Sequence, residues 1–190
     1  EVGMSRQDGA VAVARALAPE VTAWTGDGVP HLADGARRPD LAILAPVEPL
    51  DGLLVGELVA WKVPHLLVTA FEGSGSVGPM VLPGQSTCLQ CLDLIRRDRD
   101  PGWPVVSARL GGFPAGEIAC GTVMSTLVAA AAAGHALALL DGGEPSVTNG
   151  TMDVLPDWRW KRRSWSVHPQ CRCFRNDMGS LTMVASATCR

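Results

Sequence analysis

Two cysteine pairs constrain this chain more than any other feature: Cys88 and Cys91 in a C-x-x-C, and Cys171 and Cys173 in a C-x-C. Each pair follows turn-forming residues, "PGQST" before the first and "HPQ" before the second. Two close thiols on each of two turns can close a tetrahedral sulfur site of the kind that structural zinc prefers. Closing it would draw together two segments separated by residues 92–170 and clamp everything between them. Two other readings stay open: a redox-active C-x-x-C, which leaves the second pair without a role, and four unrelated buried thiols. His168, just ahead of the second pair, is a candidate to replace one sulfur. Four thiolates leave no open position for water or substrate, so a zinc held this way is structural. Cys120 and Cys189 read as plain thiols.

The remaining composition excludes several classes. A chain of 190 residues is expected to form a single domain, spanning 1–190, and to bury roughly 70% of its unfolded surface. A net charge of −3 supplies no basic stripe for nucleic acid. The run Arg159–Arg163, interleaved with Trp158, Trp160 and Trp165, reads as a solvated strand face. The opening "AVAVARALAPE" imitates a signal peptide, but Arg15 interrupts its apolar core, so an amphipathic helix capped by Asp8 explains it better. A cytoplasmic location with reduced cysteines follows as an expectation. Residues 118–140 carry no Asp, Glu, Lys or Arg, which suits a membrane span in length. Their alanine content, and the absence of basic flanks, point instead to a long buried helix, with no membrane partner.

Hydrophobic patterning predicts an α/β fold. A helix over residues 8–18 ends at Pro19, and "EVTAW" is a short strand candidate. "DLAILAPV" reads as a strand covered on both faces. The helix after it should place Leu50, Leu53, Leu54, Leu58 and Trp61 along one side, and "VPHLLVTAFE" is the next strand. Strand, helix and strand at this spacing make a βαβ unit. "SVGPMVL" and "SVTNGTMDVLPDWRWKRRSWSV" are strand-like, the latter with Val154, Trp158 and Trp160 at even spacing. Trp103 reads as a core anchor for its turn, with a partner contact as the other reading.

Gly73-Ser-Gly75-Ser-Val-Gly78 spells G-x-G-x-x-G directly after a strand. A phosphate-binding loop of that form needs a helix opening at its last glycine. Pro79 and Pro83 bracket a β-branched run there instead, so the glycines belong to a turn and not to a nucleotide site.

"GPMVLPGQSTCLQCLDLIRRDRDPGWP", then an alanine-rich helix ending "ALALLDG", then a tryptophan-bearing strand and "HPQCRC", resemble the bacteriocin-biosynthesis cyclodehydratase domain. That domain occurs in partner proteins of the YcaO enzymes that make thiazole and oxazole peptides, and is a branch of the ThiF/MoeB fold related to ubiquitin-activating enzymes. The resemblance covers about residues 39–174. It implies a partial ThiF-like, Rossmannoid sheet with a zinc-clamped β-hairpin and a long buried helix. It implies structural Zn2+ on Cys88, Cys91, Cys171 and Cys173, with a YcaO-type cyclodehydratase and a precursor peptide as partners. A homodimer through the apolar helix is a further expectation. The family's glycine-rich nucleotide loop and magnesium aspartate have no counterpart here; Ala45-Pro46-Val47-Glu48 stands where the aspartate would be. ATP and catalysis by this chain alone are therefore not expected, and the rival is a ThiF-like adenylyltransferase acting on a C-terminal carboxylate. A zinc-dependent interaction module outside peptide biosynthesis is a third reading. The family's leader-gripping winged-helix module is also missing, as expected of a fragment or a reduced member. Residues 175–190 match no pattern and are expected to be a disordered tail.

Overall fold

A computed structural model describes residues 3–26, 38–46, 49–109 and 119–173. Two compact units divide at Arg38 and Pro39. In the first, helix α1 (Arg6–Leu17) starts at Ser5, whose hydroxyl oxygen accepts from the Asp8 N–H while its O–H donates to the Asp8 carboxylate. The cap is thus Ser5 and not Asp8, because the Ser5 hydroxyl satisfies a free N–H of the first turn, in which Asp8 already lies. "EVTAW" forms no strand: lone β-propensity over so few residues finds no partner to pair with.

The second unit carries a five-stranded sheet in the order β1 (Ala42–Leu44), β2 (His65–Phe71), β3 (Ser74–Val81), β4 (Gly150–Val154) and β5 (Trp160–Ser164). Strands β1 and β2 are parallel and joined through helix α2 (Gly52–Ala60), which is the expected βαβ unit; the other neighbours are antiparallel. β1 differs from expectation in being a three-residue edge strand with Ile43 half exposed. In α2 the expected apolar side is only partly realised: Leu58 is buried, whereas Leu53 and Trp61 face out. Glu48 lies outside the described residues, as does the tail 175–190.

Helix α3 (Leu89–Arg99) begins at Cys88, α4 (Trp103–Arg109) follows, and α5 (Thr122–Leu140) lies on β2 and β3. Its residues Met124, Val128 and Ala132 close the core with Leu66, Val68, Val77, Met80 and Val154. α5 is not buried all round, as its uncharged sequence suggested. One stripe is covered, while Val123, Leu137 and Leu140 stay exposed. Its length and composition alone would let it cross a membrane, and it is the one helix of that kind among the described residues.

The glycine motif is the β2–β3 hairpin. Glu72 and Gly73 both have positive φ, 50° and 77°, as a two-residue type I′ turn requires. A side chain on Gly75 would run into Val128 and Met124 of α5. Gly78, at φ 106°, lets β3 pass close to the Gly150 carbonyl. Gly73 therefore serves the turn, and Gly75 and Gly78 serve close packing. The Trp158–Trp160 pattern breaks for a related reason: Trp158 sits in the β4–β5 turn at φ 65°, and both rings are largely exposed.

Candidate metal centre and adjoining groove

Cys88 caps the N-terminus of α3, Cys91 lies one turn in, and Cys171 and Cys173 follow β5. The β4–β5 hairpin is tied to the entry of α3 by hydrogen bonds on both sides. The Thr87 N–H donates to Asn149 Oδ1 at 2.7 Å, and the Thr87 hydroxyl donates to the Trp165 carbonyl oxygen at 3.4 Å. The four sulfurs consequently meet within 4.8 Å of one another. Sγ–Sγ distances are 3.7 Å for Cys88–Cys91, 3.5 Å for Cys88–Cys171 and 3.6 Å for Cys91–Cys173. These are far from a bonded disulfide, about 2 Å. They match the edges of a tetrahedron of sulfurs around a metal at zinc–thiolate bond length, about 3.8 Å. All four residues expected from sequence are thus brought together, and the donor set fits a soft or borderline metal ion.

Burial pushes the Cys88 thiol up to about 12 and raises Cys173 as well, since an isolated thiolate is poorly solvated there. Burial opposes ionisation of Cys91 too. Its pKa is nevertheless held below the usual cysteine range by the His168 backbone N–H, 3.4 Å from Sγ, and by neighbouring thiols. A cation at the centre would therefore displace protons that the apo cluster holds tightly. His168 is no ligand: its Nε2–H donates to Asp98 Oδ2 at 2.8 Å and its Nδ1 accepts from the Gln170 N–H at 3.1 Å. It positions the cluster from outside through its main chain. Cys120 stands apart, half-buried at the start of α5, and Cys189 lies outside the described residues.

Beside the cluster, and lined in part by Cys88 and Cys173, a groove of about 1420 Å³ runs across the sheet face opposite α5. Strand alternation makes this face polar. Thr69 pairs with Ser76, Ser76 with Asp153, Asp153 with Lys161 and Thr151 with Arg163. Asp153 accepts from Ser76 Oγ at 2.9 Å and holds the Arg163 guanidinium at 2.6 Å. The basic strand is therefore only partly a solvated face, since Lys161 and Arg163 line the groove. Trp103 ties α4 to α3, its indole N–H donating to Asp93 at 2.8 Å, but it is half-buried at the groove and not the core anchor expected. Sequence reading missed the groove itself, although the polar alternation in "TAFEGSGS" and "NGTMDV" was available to it.

The fold is ThiF/MoeB-like and is shared with E. coli MccB. The structure of MccB with AMPCPP and MccA superposes with a TM-score of 0.67 at 14% identity, over 92% of this chain and 52% of that one. MccB alone gives 0.67 at 14% identity over 93% and 52%. PaaA gives 0.61 at 14% identity over 85% and 55%. The chain thus spans about half the length of these proteins. MccB, described as a microcin C7 biosynthetic enzyme, has been seen with ATP and with N-formylated MccA. No family model and no curated protein matches the sequence.

Proposed function

We propose that this chain is a zinc-clamped, ThiF-like scaffold in the maturation of a ribosomally made, bacteriocin-type peptide. It holds the peptide in the groove for a YcaO-type cyclodehydratase that performs the ATP-dependent chemistry, in a reducing, cytoplasmic setting. The observation that carries the reading is the junction of the four-thiol cluster with the groove, whose walls include Cys88 and Cys173. Zinc on Cys88, Cys91, Cys171 and Cys173 would supply cross-linking and no catalysis. The chain's own residues do the rest: α3 and the β4–β5 hairpin form the groove's walls, and Thr69, Ser76 and Asp153 offer hydrogen bonds along its floor. The exposed face of α5 is where a second copy would pair.

The likeness to MccB, seen with ATP and AMPCPP, favours a second reading: part of an adenylyltransferase that activates a carboxylate. Among the described residues the G-x-G-x-x-G serves a hairpin, so a nucleotide would depend on other residues. ATP–pyrophosphate exchange separates the two. Under the scaffold reading the chain shows none with any peptide, yet pulls down a YcaO protein and raises the anisotropy of a labelled precursor peptide. Exchange by the chain alone, or no peptide binding, sinks the scaffold reading.

A further inference from the structure

Among the described residues, the guanidinium of Arg96 in the groove has no acceptor. Arg96, on the inner side of α3, lies 4.8 Å from the centroid of Trp103 and 6.0 Å from that of Trp165. No carboxylate or carbonyl oxygen accepts from it among the described residues, although its neighbours are served. Arg97 pairs with Asp93 and Arg163 with Asp153, while Asp93 also takes the Trp103 indole N–H. Helix-end electrostatics accounts for a cation in the last turn of α3, but Arg97 and Arg99 already provide that. It gives no reason to hold a third guanidinium half-buried between two indoles. Burial, and then the nearby Arg163, push the Arg96 pKa down and outweigh the opposing pull of Asp93 and Asp153, so its charge is only partly offset.

The two indoles pack against the Arg96 guanidinium without taking its N–H groups, which stay free to bind something else. That is the arrangement in which arginine recognises a planar or tetrahedral oxyanion with two parallel hydrogen bonds. Lys161 and Arg109 line the same cavity and raise its local positive potential.

We propose that Arg96, held by Trp103 and Trp165, is an oxyanion-binding site that receives an acidic group of the groove's occupant. On the reading above this is a peptide carboxylate; a phosphate would satisfy the same fork. The site sets which peptides the groove prefers, and the inference rests on the groove being a peptide site.

The test follows the Arg96 Nε–H resonance and the backbone amides of Thr69 and Ser76 in the full chain. The probes are N-acetyl-Gly-Glu-Gly-amide, its Gln analogue and inorganic phosphate. The expected result is a saturable Arg96 shift with the Glu peptide, weaker by roughly tenfold or more for the Gln analogue. Arg96→Gln removes the discrimination; Arg96→Lys, which keeps the charge without the fork, restores it only in part. Saturation by phosphate with none by the Glu peptide keeps the oxyanion site but makes phosphate its source. If Thr69 and Ser76 respond to both peptides while Arg96 does not, this inference fails and the peptide groove stands. If nothing responds to any probe, both fail.

Discussion

The two faces of the sheet are held by different means. Against α5, Leu66, Val68, Val77 and Met80 meet Met124, Val128 and Ala132 in a dry layer. On the other face, Thr69, Ser76, Thr151, Asp153, Lys161 and Arg163 look into a groove. A smaller apolar cluster, Val81, Leu89 and the buried cysteines with Leu44, Leu67 and Leu94 packed against it, ties α3 to that side. Burying apolar area stabilises the first face at about 25 cal/mol per Å². The second has given up that area for a binding surface. Its walls depend on cross-links between distant segments, which is the work a four-sulfur site performs. Such a division explains why a protein of this size would commit four cysteines to one corner.

The largest effect should come from removing that cross-link. Cys91→Ser is expected to abolish zinc binding and to cost on the order of several kcal/mol, since structural zinc binding is coupled to folding. Zinc per chain by native mass spectrometry and urea unfolding would measure both. Cys171→Ser should behave alike, because its sulfur lies 3.5 Å from that of Cys88, whereas Cys120→Ser should keep the metal. Hydrogen exchange after chelation should expose α3 and the residues around Trp165 before β2 and α5. Simultaneous loss on both faces would break the contrast.

On the dry face, Gly75→Ala places a methyl group against Val128 and Met124. Overpacking of a filled core costs about 1–3 kcal/mol. Urea unfolding should show that loss with zinc content unchanged. Val128→Ala in the same background would relieve the crowding, so the double variant should be less damaged than the two single losses summed.

Protonation offers a separate probe of the edge where β2 begins. His65 is fully buried, its Nδ1 is 2.9 Å from the Val63 carbonyl oxygen, and its Nε2 has no partner among the described residues. Burial lowers its pKa below the ordinary 6.5, only partly offset by that carbonyl. The folded state thus binds its proton less readily than the unfolded state. Its contribution is complete above about pH 6.5 and is lost as pH falls from there toward the folded pKa, with a slope of up to about 1.4 kcal/mol per pH unit. His65→Gln should flatten the acid limb of a Tm-versus-pH series between pH 7.5 and 5.5, measured with zinc bound. A limb of unchanged slope would mean that the cysteine cluster alone carries the acid sensitivity.

What could be read from the sequence follows the same divide. The four ligands were legible because thiols in close pairs on turns have few other uses, and the βαβ unit because its periods of two and 3.6 are strong. The state of α5 was not legible. An alanine-rich helix without charges reads as buried all round, and nothing local tells Val128, which is covered, from Val123, which is open. His168 stood in a ligand's place by spacing alone; only the fold shows its ring turned to Asp98. The groove was illegible because its floor is assembled from strands separated by the whole of α3, α4 and α5. Ser76 and Asp153 gain meaning only as cross-strand neighbours.

The smallest expected effect is the sharpest comparison, because it lies one residue from the crowded glycine. Ser76→Ala removes the 2.9 Å hydrogen bond to Asp153 but leaves that carboxylate paired with Arg163. The loss should be about 1 kcal/mol or less, as for one hydrogen bond whose acceptor keeps another partner. Gly75→Ala adds the same methyl group on the opposite face and should cost clearly more. Measured together by urea unfolding, the pair sets wet face against dry without changing backbone position by more than one step. If Ser76→Ala proved the more damaging, the groove floor would be a rigid part of the core, and its polar side chains would be structural before they were available to a ligand.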